Sequence, residues 1–258
     1  MRLAIALLFL LLPISAQAED VQFSKGQAVS LMPDKAYLLV QTNDIGKTLG
    51  GTWFVSPVLY RVLNQEEQQQ LEAVIKKDPV DWQSKADPNV VVIVGSNTYE
   101  ESGAGRFLLV ATRPGAYILG GAATTNGSGD VRGVMISCLC MGTVEFEAKP
   151  GVITDMGAVL AARDSEPTTI PELVKVVTGK ETEINYGYVN DVAIRPAAPS
   201  SHVPQGLREL PRALADYHAV PAIPNYSGAR LNRLAPLPGV LDYDKDGEVI
   251  DLKAAKSP

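Results

Sequence analysis

From Lys35 to Ala161 the chain is a succession of short apolar runs, each closed by turn residues, and that rhythm is what most limits the folds open to it. The runs Ala36-Tyr-Leu-Leu-Val-Gln-Thr42, Val58-Leu-Tyr-Arg-Val-Leu63, Asn89-Val-Val-Val-Ile-Val94, Arg106-Phe-Leu-Leu-Val-Ala-Thr112 and Ala116-Tyr-Ile-Leu119 are rich in β-branched and aromatic residues. Each is too short for a typical helix. In Thr143-Val-Glu-Phe-Glu-Ala148, Val144, Phe146 and Ala148 alternate with Thr143, Glu145 and Glu147, which predicts a strand with one buried and one wet face. Pro114-Gly115 and Pro150-Gly151 separate strand candidates and suit the two central positions of a type II turn.

Two segments break this pattern. Asn64-Gln-Glu-Glu67 has the form of a capping box, with Asn64 as N-cap and Glu67 three residues on, and Leu71, Val74 and Ile75 follow at helical spacing up to Lys77. Thr169-Ile-Pro-Glu172 reads as a second helix start, running through Leu173, Val174 and Val177 to a stop at Gly179. After Ile194 the composition shifts, with eight prolines from Pro196 to Pro238. Scattered apolar residues there, among them Leu207, Tyr217, Ile223 and Leu234, favour an extended arm docked on the domain over a disordered tail.

The N-terminus carries the order of a cleavable secretory signal over residues 1–18. Met1-Arg2 supplies a positive charge, Leu3 to Leu12 an apolar stretch, and Ala16-Gln17-Ala18 a small-residue cleavage site. That stretch is well short of the roughly 20 residues needed to span a bilayer. Loss of Arg2 with the leader would make the chain more acidic than the −6 of the full sequence. Without a Lys/Arg cluster, nucleic acid and anionic membrane surfaces are poor partners. The expected setting is the periplasm or the exterior, and the expected partner an envelope protein or glycan.

Two stretches invite chemistry. Asp242-Tyr-Asp244-Lys-Asp246-Gly247-Glu248 matches the opening of a calcium loop of EF-hand type, with carboxylates at positions 1, 3 and 5 and glycine at 6. Position 12, however, is Lys253 where a bidentate Glu belongs. The same residues read as a β-hairpin with Asp244-Lys-Asp-Gly247 as the turn. Cys138 and Cys140 are the two cysteines, separated by Leu139. In a strand they share a face, so they stand either as a disulfide at a bulge or as a buried pair of thiols. An envelope hydrolase using the acidic loop 242–248 is the competing function. The general hydrolase signals are weak, because no Gly-x-Ser-x-Gly elbow is present and the histidines, His202 and His218, both lie in the proline-rich stretch. Gly127-Ser128-Gly129 suits a hairpin loop between Asn126 and Asp130. Trp53, Tyr60, Trp82, Tyr99 and Tyr117 are candidates for a sugar or peptide groove, with core packing as the alternative.

Arg113-Pro-Gly-Ala-Tyr-Ile-Leu119 followed by Gly142-Thr-Val-Glu-Phe-Glu-Ala-Lys-Pro-Gly-Val-Ile-Thr-Asp155 resembles the small β-sandwich domains of bacterial envelope proteins of the DUF2846-type family. These share a Pro-Gly turn leading into a Tyr-containing strand, a Phe strand, a second Gly turn and a further strand. The resemblance spans Ala36 to Ala161, and the whole is similar to secreted proteins of sphingomonad-type bacteria. Transthyretin-like and carboxypeptidase-regulatory sandwiches use the same Pro-Gly-x-Tyr turn. The resemblance implies an envelope β-sandwich and brings no catalytic residues with it.

The combined expectation is a mainly β chain: an Ig-like or transthyretin-like β-sandwich over 19–194 with one inserted helix near 65–77. A Pro-rich C-terminal arm over 195–258 follows and ends in a hairpin. Its expected role is non-enzymatic binding or accessory structure in the cell envelope.

Overall fold

The computed structural model describes residues 20–48, 51–77, 89–103, 105–126, 135–163, 168–174, 190–223 and 230–254. The expected signal at 1–18, the expected glycine-rich turn at 127–130, Trp82 and the expected helix stop at Gly179 lie outside these residues. The described chain is mainly β, built as two sheets and a separate hairpin.

The first sheet runs in the order β1 (Val21–Phe23), β7 (Gly105–Thr112), β2 (Ala36–Thr42), β11 (Ile153–Arg163) and β12 (Asn190–Arg195). β6 (Glu100–Ser102) joins it on β7, and β13 (Arg212–Leu214) joins it on β11. The second sheet runs β14 (His218–Val220), β10 (Thr143–Ala148), β8 (Gly115–Asn126), β4 (Gly51–Arg61) and β3 (Asp44–Thr48). β5 (Val90–Val92) pairs with β4, while β9 (Met135–Cys138) lies between β8 and β15 (Arg230–Leu231). The hairpin is β16 (Leu241–Tyr243) and β17 (Val249–Asp251).

The two sheets share one apolar layer. Leu38, Val40, Leu108, Val110 and Val159 from the first meet Leu59, Tyr117, Leu119, Val144 and Phe146 from the second. Each such side chain contributes about 1.5–3 kcal/mol on leaving water. β10 keeps the expected alternation, with Phe146 inside and Glu147 exposed. β2 and β7 do not alternate and are buried almost throughout. The reason is a second apolar layer on the far face of their sheet, where Tyr37, Leu39, Phe107, Leu109 and Ile153 are covered by Phe23, Val29, Leu31, Val203, Leu207 and Leu210. A strand covered on both faces carries a continuous apolar run.

The Pro-Gly-x-Tyr turn has a concrete job. Tyr117 is fully buried, and its hydroxyl donates to the carbonyl of Arg113 four residues upstream while meeting Thr112 Oγ1 at 3.0 Å. This ties the entry of β8 back onto the end of β7, in the manner of a tyrosine corner. Burial pushes the Tyr117 phenol up to about 12. At the second turn Gly151 holds φ 68°, the left-handed value that type II geometry asks of its third residue.

The inserted helix α1 (Gln65–Lys77) starts as its sequence predicts. Glu67 N–H donates to Asn64 Oδ1 at 2.9 Å and Asn64 N–H donates to Glu67 Oε2 at 3.1 Å. Arg61, at the end of β4, adds a bidentate grip on the same carboxylate at 2.7 and 3.1 Å, so the guanidinium holds the Glu67 carboxyl below its ordinary range. Of the second helix, α2 (Pro171–Val174) is described, with Leu173 buried against Ala193 and Ala235.

The proline-rich stretch does more than lie along an edge. β13 pairs in parallel with β11, β14 in antiparallel with β10, and β15 in parallel with β9. The boundary read at 194/195 thus falls inside β12, one residue before its end, and β12 and β13 both pair with β11. β11 accommodates both on one edge because its register with β2 shifts between Asp155 and Ala158. Gly157 sits in that shift at φ 74°, and a Cβ there would meet the carbonyl oxygen of Arg195 at 2.2 Å and the nitrogen of Ala197 at 2.4 Å. Gly157→Ala is expected to cost about 3 kcal/mol, adding left-handed strain to a backbone clash. Urea unfolding should show a lowered midpoint at unchanged slope.

Candidate ligand cleft

A cleft of about 300 Å³ opens where the β10–β14 pair of one sheet faces the β11–β13 pair of the other. Glu145, Glu147 and Lys149 line one side, Thr154 and Leu214 the other, and Asp216 and His218 the end. Its volume lies at the lower end of the roughly 300–1,000 Å³ typical of ligand pockets.

Each wall has a local cause. Alternation in β10 sends Val144 and Phe146 into the core, so Glu145 and Glu147 point away from it, two residues apart on one face. Register places His218 directly opposite Glu145. The link from β13 to β14 crosses from one sheet to the other and is pinned by Tyr217. The Tyr217 ring meets Phe146 edge-on at 5.6 Å, and its hydroxyl donates to the carbonyl of Met156 at 2.7 Å. Burial drives that phenol far above its ordinary range, so it stays a neutral donor.

The start of the crossover is fixed by charge. Asp155, nearly buried, accepts from Arg212 Nη1 at 2.6 Å and from the Gly157 N–H at 2.9 Å. Removing one partner of such a buried pair typically costs about 3–5 kcal/mol. At the mouth, Asp216 sits between Lys253, which donates to it, and His218, whose Nε2 lies 3.4 Å away. The Lys253 ammonium is the main cause holding the Asp216 carboxyl below the usual carboxylate range. Neither Glu145 nor Glu147 is engaged by another side chain among the described residues, leaving two carboxylates to accept hydrogen bonds from a ligand.

The residues singled out from sequence fall elsewhere. Asp242, Asp244 and Asp246 belong to the β16–β17 hairpin, with Gly247 at φ 87°. Asp244 Oδ1 accepts from the N–H groups of Asp246 and Glu248 at 2.8 and 2.9 Å, and Asp242 Oδ1 accepts from the Tyr243 N–H at 2.8 Å. These carboxylates fasten their own turn. Among the described residues, no three His, Cys, Asp or Glu side chains gather in a way that could hold a metal ion. Cys138 and Cys140 are joined as a disulfide with their Cα atoms 5.2 Å apart. Among the described residues the candidate aromatics do not line a groove. Tyr117 is fully buried, Tyr60 and Tyr99 are buried, and Trp53 packs against the core. His202 lies on the far face, against Glu100 at 3.3 Å and the Phe107 ring.

Sequence reading passed over the cleft because its two sides come from Glu145–Lys149 and Ala213–His218, joined only by strand pairing across the proline-rich stretch. The signal available was the wet face of β10. Compared with models of protein families, with curated proteins and with solved structures, the chain matches none.

Tyr217→Phe keeps the ring and leaves the Met156 carbonyl without its donor, an expected loss of about 1–3 kcal/mol. Thermal unfolding should register it as a lowered midpoint, and an unchanged midpoint would show that the crossover is not pinned by this bond.

Proposed function

We propose that this chain is a non-enzymatic β-sandwich of the cell envelope that binds a hydroxyl- or amine-bearing glycan in the cleft beside β10 and β14. The observation that carries this reading is the unengaged pair Glu145 and Glu147 on one wall, with Lys149 and His218 as donors on the same rim. Convergent polar groups over an apolar floor are the usual make-up of a small-ligand site. The Cys138–Cys140 bond supports a setting outside the cytosol, since disulfides persist in oxidising compartments. A transthyretin-like arrangement suits the sandwich better than an Ig-like one, because β2 and β11 pair in parallel inside a sheet, whereas Ig sheets are antiparallel.

Two measurements test this. N-terminal sequencing of the protein recovered from the envelope should begin at Glu19, and a start at Met1 would overturn the export reading. Calorimetric titration with amino-sugar oligomers should show binding that weakens at least tenfold in the Glu145→Gln, Glu147→Gln double variant. Equal affinity in the variant, or no heat with these oligomers, would remove the cleft from consideration.

A further inference from the structure

The Cys138–Cys140 disulfide closes over a single residue, and such a short loop restrains the unfolded chain very little. Its effect is therefore to be sought in the folded state. In a flat strand, residues two apart are separated by about 6.6 Å, whereas these Cα atoms stand 5.2 Å apart. The bond gathers the chain at the point where β9 ends and turns it along a different path.

What that path carries is the far C-terminal stretch. The Cys138 carbonyl accepts from the Asn232 N–H at 2.7 Å, and the Cys140 carbonyl accepts from the Ile223 N–H at 3.2 Å. Met141 N–H donates to the Asn232 carbonyl at 3.0 Å, and the Gly142 carbonyl accepts from the Leu234 N–H at 2.9 Å. Leu231 also pairs with Cys138 in the β15–β9 ladder. Successive peptide groups from 138 to 142 thus form the rail on which residues 223 and 230–234 dock, and the disulfide sets the spacing of that rail. Leu139 on the rail and Leu234 at the end of the docked stretch both belong to the apolar layer between the sheets, so Leu234 stays anchored by the core, and the docked residues outside that layer are 223 and 230–232.

We propose that the Cys138–Cys140 disulfide is a redox latch that fastens residues 223 and 230–232 to the end of β9, and that its reduction releases them without unfolding the sandwich. A dithiol supplies the electrons. One of its thiolates attacks a protein sulfur, the S–S bond breaks, and the other protein sulfur leaves as a thiolate that takes a proton. The second thiol of the reagent, losing its proton, then displaces the mixed disulfide and cyclises to its own disulfide. The protein gains two electrons and two protons and the dithiol loses them. Cys138 is fully buried and Cys140 retains 7% exposure, so the attack falls on the Cys140 sulfur, beside Met141 and Leu231, which are 45% and 53% exposed.

Amide hydrogen exchange on the full processed protein, before and after dithiothreitol, tests the latch directly. Exchange at Ile223 and Asn232 is expected to quicken at least tenfold on reduction, while Leu108 and Val110 in β7 keep their protection. The Cys138→Ser, Cys140→Ser double variant is expected to match the reduced wild type and to ignore the reagent. Unchanged exchange at both amides overturns the proposal, as does loss of protection throughout the core, which would make the bond a global staple. Two free thiols in the untreated exported protein would also overturn it.

Discussion

β2 and β11 lie side by side in parallel, and the rest of the molecule is arranged around that pairing. Parallel neighbours cannot be joined by a tight turn, so the chain between Thr42 and Ile153 must leave one end of the sheet and return to the other. It uses the journey to build β4, β8 and β10 of the second sheet and to lay β7 against the open side of β2. The apolar layer between the sheets is then filled from both ends of the excursion, with Leu38 and Val159 on one side and Leu59 and Phe146 on the other.

The same pairing accounts for what the sequence revealed and what it concealed. β2, β7 and β10 were legible because short β-branched runs bounded by turn residues allow little else, and the Asn64–Glu67 box announced α1. The run legible in the sequence opens at Val58, just past Pro57, a residue confined within sheets to edges, strand starts and bulges. Here Pro57 stands opposite Ala122 and its carbonyl takes the Ile93 N–H at 2.9 Å, so the strand runs from Gly51. β8 was cut at Leu119 by two glycines. Gly120 is required there because the Tyr60 ring lies over it, where a Cβ would come within 2.0 Å of a ring carbon. Both departures arise from contacts with a neighbouring strand, which a one-dimensional pattern does not contain.

Burial periodicity misled for a related reason. Continuous apolarity in β2 reports a sheet covered on both faces, and the covering chain comes from residues 23–31, just ahead of β2, and from 203–210, remote from both in sequence. The proline-rich stretch was likewise read as extended and docked, but nothing in its composition tells which strands it would join. Prolines punctuate it into pieces of two or three paired residues, too short for any periodic signal. The cleft inherits this obscurity, since half of it belongs to those pieces. The acidic loop carried two readings in its sequence, and its hairpin is formed, with the Asp244 oxygen accepting N–H groups of its own turn.

β13, β14 and β15 are the last contributions to their sheets, and all three come from beyond residue 211. A chain emerging from synthesis therefore presents β9, β10 and the first part of β11 with unmatched backbone donors and acceptors until nearly its whole length is free. Strand edges left bare in this way recruit other strands, and contacts of such long sequence separation form slowly. The interval between the appearance of Arg195 and the arrival of Leu231 is accordingly the period in which this protein is most exposed to mispairing with its neighbours.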